Sequence, residues 1–278
     1  MPDHPVHLFD GDSAALTFRE TDLPSAGSIV WRDVLYEGPR STDIPPSEAD
    51  LRSRARYLAD TYGESFDQTL RSLSRQYESL KAAASGKNEI VCWFDACLFD
   101  QSMLVHVLAC IARWTAAPLV SLVCPFTFPG HPRFNGLGEL TAPELATLYP
   151  TRIPLSAKAF EFAGVADRCF ALRDPQSLST LASSFCAELP FVAPAAQRLL
   201  AEIPSDRTAL GRLEPIALEA IREGADTFPA VFSATAKKDT PPQYWGDSQL
   251  QNTLRSLARK KRISLGERIL PLDFPQKS

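Results

Sequence analysis

Short apolar runs alternating with longer amphipathic stretches set the pattern of the first 140 residues. Val6-His7-Leu8-Phe9 reads as a strand, broken by Asp10-Gly11-Asp12-Ser13 before a helical stretch opens at Ala14. Ser28-Ile29-Val30-Trp31 repeats the strand signal and runs into a polar loop punctuated by Gly38-Pro39. From Glu48 to about Ala84, apolar residues recur at helical intervals (Leu51, Ala55, Leu58, then Phe66, Leu70, Leu73, Tyr77, Leu80), which predicts two amphipathic helices separated near Gly63. Glu89 to Phe94 is a continuous apolar strand, followed by a helix over Ser102 to Trp114 and a fourth strand over Leu119 to Cys124. Strands with both faces apolar, alternating with helices, predict a Rossmann-like, mostly parallel sheet covered on both sides.

The pattern then turns helical. Thr141 and Glu144 have the spacing of a capping box, Ser156 can cap a helix to about Ala171, and Asp174-Pro175 starts another with proline in its first turn. Leu189 to Ile203 is a further helix, in which Pro190 or Pro194 marks a kink or the true start. Helices over Arg212 to Glu223, Thr227 to Lys238 and Ser248 to Lys260 precede two short strands, Arg262 to Leu265 and Arg268 to Leu272, joined by a two-residue turn. Three helices and a hairpin are the order of elements in a winged helix, with the third helix in the recognition position. The expected organisation is therefore an α/β domain over 1–140, a helical connecting segment over 141–208 and a winged-helix-like domain over 209–278.

Composition narrows the class. With 278 residues, 45% hydrophobic and 22% charged, the chain has material for a real core. No apolar run approaches a membrane span, and Met1-Pro2-Asp3-His4-Pro5 lacks the layout of a leader, so a cytoplasmic protein without membrane contact is expected. The net charge of -4 hides a contrast: residues 1–236 carry -9 and residues 237–278 carry +5. The positive charge gathers at Arg255, Arg259, Lys260, Lys261 and Arg262, which would suit DNA phosphates but would equally complement a helix C-terminus. The six cysteines lack zinc-knuckle or redox spacing and read as buried thiols.

Four ordered segments are distinctive: Gly11-Asp12-Ser13-Ala14-Ala15, the run from Trp31 to Pro39, the run from Trp93 to Gln101, and Gly136-Leu137-Gly138-Glu139-Leu140. Together they resemble a bacterial family known as domain of unknown function eighteen thirty-five. Leu189-Pro190-Phe191 with Ala196, Arg198 and Leu199, and Leu210-Gly211-Arg212-Leu213-Glu214 with Gly246-Asp247, resemble its usual partner, domain of unknown function thirty-six fifty-eight. The resemblance covers nearly the whole chain. It implies a bacterial, cytoplasmic two-part protein and supplies neither an activity nor site residues.

Site chemistry has to come from the residues. In an open parallel sheet, ligands bind beyond the carboxyl ends of the strands. Asp10, Asp12 and Ser13 follow the first strand, Asp33, Glu37 and Arg40 the second, Asp95, Asp100 and Gln101 the third, and Phe126 to Glu139 the fourth. Convergence of such carboxylates would suit magnesium or another divalent cation, since hard ions take oxygen ligands. We expect Asp12, Asp33 and Asp100 as metal ligands and catalytic groups, with Ser13, Glu37, Arg40, Gln101 and Glu139 contacting a nucleotide or other small phosphorylated ligand. A metal-dependent hydrolase or transferase is the corresponding activity. Helix capping by Asp12, Ser13 or Asp100 is the competing explanation for single residues. A metal-free alternative holds an anion on Ser13 and the first helix start, with Arg32 or Arg40 compensating. A Ser13/His131 esterase is a lesser alternative, because none of His4, His7, His106 and His131 has the sequence context of a triad base. The rival from another class is an effector-sensing regulator whose C-terminal domain binds DNA, or a module that docks a protein.

Overall fold

The structure, a computed structural model, describes residues 4–204, 210–239 and 245–272. Residues 1–3, read above for a leader, and the expected boundary at 208/209 lie outside these. The chain divides into two units, residues 1–197 and 198–278.

The first unit is built on a five-stranded sheet. In chain order its elements are β1 (Val6–Phe9), α1 (Asp12–Phe18), β2 (Gly27–Val30), α2 (Glu48–Tyr62), α3 (Phe66–Ser85), β3 (Ile90–Trp93), α4 (Leu98–Trp114), β4 (Val120–Val123), α5 (Ala142–Leu148), β5 (Ile153–Pro154), α6 (Ala157–Leu172), α7 (Pro175–Ala182) and the start of α8 (Val192–Glu202), whose residues from Arg198 on belong to the second unit. The strands lie in the order β2-β1-β3-β4-β5. The first four run parallel, with Phe9 level with Val30 on one side and Trp93 on the other. Every residue of β3 and β4 is buried, as a parallel sheet covered by helices requires.

Two residues, Ile153 and Pro154, pair antiparallel with β4, and the sequence carries no alternation that predicts so short an edge strand. Residues 141–197 fall within the first unit, and Ile153 and Pro154 bring this stretch back to its sheet. α6 packs against α4, which is buried on nearly every side.

On one face of the sheet Phe9, Val91, Trp93 and Val123 meet Phe18 of α1 and Leu145 and Leu148 of α5. His7 belongs to this aromatic layer. Its Nδ1 accepts from Trp93 Nε1 at 3.0 Å and its Nε2 donates to the Pro24 carbonyl at 3.0 Å, so the ring is neutral, and burial lowers its pKa further. Sequence-local signals explain most helix ends. Ser47 and Asp50 form a capping box at α2, Thr141 and Glu144 another at α5, and Asp174 caps α7 ahead of Pro175. Gly63 closes α2 in the left-handed region at φ 75°, where a Cβ would strain the turn. α8 starts after Pro190, leaving Pro194 in its first turn. Among the described residues no helix is long and apolar enough to cross a membrane.

The second unit continues with α9 (Leu213–Arg222), α10 (Phe228–Lys238), α11 (Asp247–Arg259), β6 (Ile263–Leu265) and β7 (Ile269–Pro271). Leu265 pairs with Ile269, so the hairpin loop has three residues, Gly266 to Arg268, rather than the two expected. Leu218, Ile221, Val231, Trp245, Leu250, Leu254, Leu257, Ile263 and Ile269 form its core. Beside that core, Asp239 is only 1% exposed and accepts from Arg198 Nη1 at 2.8 Å, Arg212 Nε at 3.2 Å and Trp245 Nε1 at 3.0 Å.

Removing a buried carboxylate strands the cations that face it, at a cost of about 3–5 kcal/mol. Asp239→Ala should therefore lower the stability of residues 198–278 by that order. Amide hydrogen exchange should show lost protection there, with the sheet of the first unit retaining its own.

Candidate functional site

The chain runs from β1 to β2 on one flank and then to β3 on the other. β1 is thus the strand at which the order reverses, and the loops after β1 and β3 leave the sheet in diverging directions. At this place Asp10, Asp95 and Asp100 come together, each offering one oxygen, with those oxygens all within 4.8 Å of one another. Asp10 directly follows the last residue of β1, and Asp95 follows β3 by two. Asp100 lies in the first turn of α4, which begins at Leu98, four residues ahead of the expected start.

The surroundings fix these carboxylates in different ways. Both oxygens of Asp95 accept the Leu137 amide, at 3.0 and 3.1 Å. This approach depends on Gly136, whose φ is 139° and whose added Cβ would lie 2.3 Å from Asp95 Oδ2. Gln101 donates from Nε2 to the Asp95 carbonyl at 2.7 Å, holding the loop rather than reaching the carboxylates. The Cys97 thiol donates to Asp100 Oδ2 at 2.8 Å, and burial with the neighbouring Asp100 charge keeps that thiol neutral. Asp100 Oδ1 is buried and has no hydrogen-bond donor.

Burial raises the pKa of Asp10, and burial with mutual repulsion raises those of Asp95 and Asp100 far more. Asp95 and Asp100 are 8% and 2% exposed, whereas Asp10 is half-buried as a residue, with burial still the main cause of its shift. No arginine or lysine among the described residues forms an ion pair with the three. The arrangement has two ways to be neutralised: protons shared between the carboxylates, or a hard cation.

Of the metal ligands expected from the sequence, the structure brings only Asp100 into this cluster. Asp12 points away to Arg32, whose Nε donates to it at 2.8 Å, and that ion pair lowers its pKa. Asp33 is buried against Arg54, 2.6 Å from Nη2, and so serves an internal ion pair. The capping explanation fails as well. Neither Asp12 nor Ser13 caps α1, and Asp100 falls inside α4 behind the Cys97 N-cap. Ser13 donates to the Gly138 carbonyl at 3.1 Å, and Glu139 accepts from the Asn135 amide at 3.0 Å. Glu37 accepts from Tyr62 at 2.8 Å. Arg40 is buried in an ion pair with Asp167, which also faces His106 Nδ1 at 3.1 Å, while His106 Nε2 meets the Tyr77 hydroxyl at 2.6 Å. Arg40 thus belongs to an internal charge network rather than to the strand-end site. His131 reaches Glu144 at 3.2 Å, at the start of α5, and makes no contact with Ser13.

No protein-family model matches the chain, and no curated protein matches it in sequence. The geometry alone therefore carries the functional argument.

Asp10 and Asp95 are the site residues that sequence reasoning placed at strand ends without choosing them. The signal that could have selected them is position: each closely follows the apolar run of a strand. Which runs are neighbours, however, is settled only by the sheet order.

The raised pKa values have a definite sign. Between the ordinary aspartate value near 4 and the raised folded values, the folded state holds more protons than the unfolded state. Stability contributed by this cluster therefore falls as pH rises through that window. His7 and His106, buried with lowered pKa values, act oppositely: their contribution is lost as pH falls below about 6.5. A difference measurement isolates the acids. Asp100→Asn keeps the acceptor for Cys97 and replaces the protonated carboxyl by an amide. Its unfolding free energy, measured by denaturant titration, should match the parent near pH 4 and exceed it increasingly towards pH 8, by about 1.4 kcal/mol for each unit of pKa elevation removed.

Proposed function

We propose that the first unit binds a divalent cation on Asp10, Asp95 and Asp100 and, through it, the phosphate of a nucleotide or other small phosphorylated ligand. The single observation that carries this reading is Asp100 Oδ1, a buried carboxylate oxygen without a donor, set within reach of two further carboxylates. A buried acceptor without a partner is costly, and a cation would satisfy it while relieving the repulsion that raises the pKa values. The place is the one where open α/β sheets bind ligands, beyond the carboxyl ends of the strands. Three carboxylates and no thiolate or free imidazole suit magnesium or manganese rather than a soft metal. A cation there would polarise a phosphate ester, so hydrolysis or transfer is the activity that follows from this reading. Membership of the uncharacterised bacterial two-part family is part of the same proposal and rests on the motifs quoted above.

A lesser reading treats the second unit as a winged-helix-like module that binds DNA, or docks a protein, while the first unit senses an effector. Its support is three helices followed by a packed hairpin. Against the DNA version, the Lys260 ammonium is already held by Glu214 at 2.7 Å.

Calorimetric titration of the whole protein with manganese or magnesium tests the leading proposal. One ion should bind, more tightly as pH rises and protons cease to compete. Asp10→Asn and Asp100→Asn should each abolish that binding, and nucleotides should bind only with the ion present. Absence of heat at millimolar ion, or binding unchanged in Asp100→Asn, overturns it.

A further inference from the structure

The sheet has an open edge at β2, and α3 lies along it. Between them is a cavity of about 400 Å³, lined on the strand side by Ser28, Ile29, Val30 and Arg32. This volume is within the range of small-ligand sites. α3 contributes Gln68, Arg71, Ser72, Arg75, Gln76 and Ser79 to it, a spacing that places all of them on one helical face. That face is unusual for a helix beside a sheet edge because it is polar throughout.

The charges there are one-sided. No carboxylate lines the cavity. Arg71 and Arg75, one turn apart and both exposed, make no ion pair or hydrogen bond among the described residues. Like charges at that spacing repel, so the helix carries an unfavourable pair that an anion between the two forks would relieve. Arg32 is the third cation and is held in place by Asp12. Gln76 supplies an independent sign of a missing partner. It is only 5% exposed, its Oε1 accepts the Arg32 amide at 3.1 Å, and its Nε2 is buried with nothing to donate to. That donor is closed off from solvent, so an acceptor in the groove reaches it only if the Gln76 side chain turns outward.

We infer that this groove is a second ligand site, one that takes a phosphorylated polyol such as a sugar phosphate. Arg71 and Arg75 clamp the phosphate in the bidentate manner guanidinium groups allow. Ser28, Ser72, Ser79 and Gln68 offer donors and acceptors spread as a polyhydroxyl ligand needs. No aromatic side chain lines the groove, so it offers a nucleobase no stacking surface. The site does not rest on the acid cluster, because none of Asp10, Asp95 and Asp100 lines it. Binding here needs no divalent ion.

The test is calorimetry on the full chain in the presence of a chelator, with glucose 6-phosphate, ribose 5-phosphate and glycerol 3-phosphate as probes and glucose and inorganic phosphate as controls. At least one sugar phosphate should bind in the sub-millimolar range, and more tightly than either control. Arg71→Gln with Arg75→Gln should weaken it at least tenfold, and Arg75→Lys should retain part of the affinity. Asp100→Asn should leave it unchanged, which separates failure of this site from failure of the cation site. Circular dichroism spectra that overlay those of the parent exclude unfolding as the cause of lost binding. No binding of any probe at 5 mM, equal binding by the double arginine variant, or arginine-dependent binding of an oligoglutamate peptide in place of the sugar phosphates overturns the inference.

Discussion

β1 is hydrogen-bonded on both flanks, and the rest of the first unit is arranged around that constraint. A four-residue strand, Val6 to Phe9, pairs with β2 on one side and β3 on the other. Because the chain leaves it towards one flank and returns on the other, the segments beyond β1 and β3 are not drawn across each other. The gap between them is where Asp10, Asp95 and Asp100 face one another. The packing that secures β1 is apolar and aromatic: Phe9 and Trp93 stack at 5.8 Å between centroids, and Phe18 closes over both. Hydrophobic burial in the sheet thus holds three carboxylates closer together than their charges favour.

Legibility in the sequence followed the range of the interaction. Caps and turns are local, so Ser47, Gly63, Thr141 and Asp174 could be read in place. Continuous apolar runs marked the first four strands to within a residue or two. The antiparallel edge strand β5 was not legible, since two residues carry no periodicity and its pairing with β4 joins positions about 30 apart in sequence. The start of α4 was missed for a different reason. Cys97 and Asp100 look like loop residues by type, yet burial beside the sheet makes them the cap and first turn of a buried helix.

The candidate site shows the same division. That acids gather at strand ends was visible along the chain, whereas the choice among them was not. Asp12 and Asp33 have the right residue type and the right loops, but each has an arginine that takes it. For Asp33 that arginine is Arg54, which comes from α2 across a long stretch of sequence and also bonds the Val34 and Glu37 carbonyls. Pairings of this kind depend on how helices cover the sheet, and residue spacing carries no record of them.

These pairings make the acid cluster stand out. The protein buries charge in several places, and elsewhere it does so with compensation: Asp33 against Arg54, Asp167 between Arg40 and His106, Asp239 against Arg198 and Arg212. A buried ion pair has roughly offsetting costs and gains, so those three pin loops and helices without demanding a ligand. Asp10, Asp95 and Asp100 have no such counter-charge among the described residues: Asp95 accepts a backbone amide, Asp100 accepts a thiol, and Asp10 and Asp100 hydrogen-bond to each other. The other buried acids among the described residues each face an arginine or a lysine, Glu214 facing Lys260, and these three face neither. The groove along β2 is the converse case, with guanidinium groups gathered where no carboxylate answers Arg71 and Arg75. The first unit thus holds two regions of opposite charge, three acids with no cation opposite them and two arginines with no carboxylate beside them.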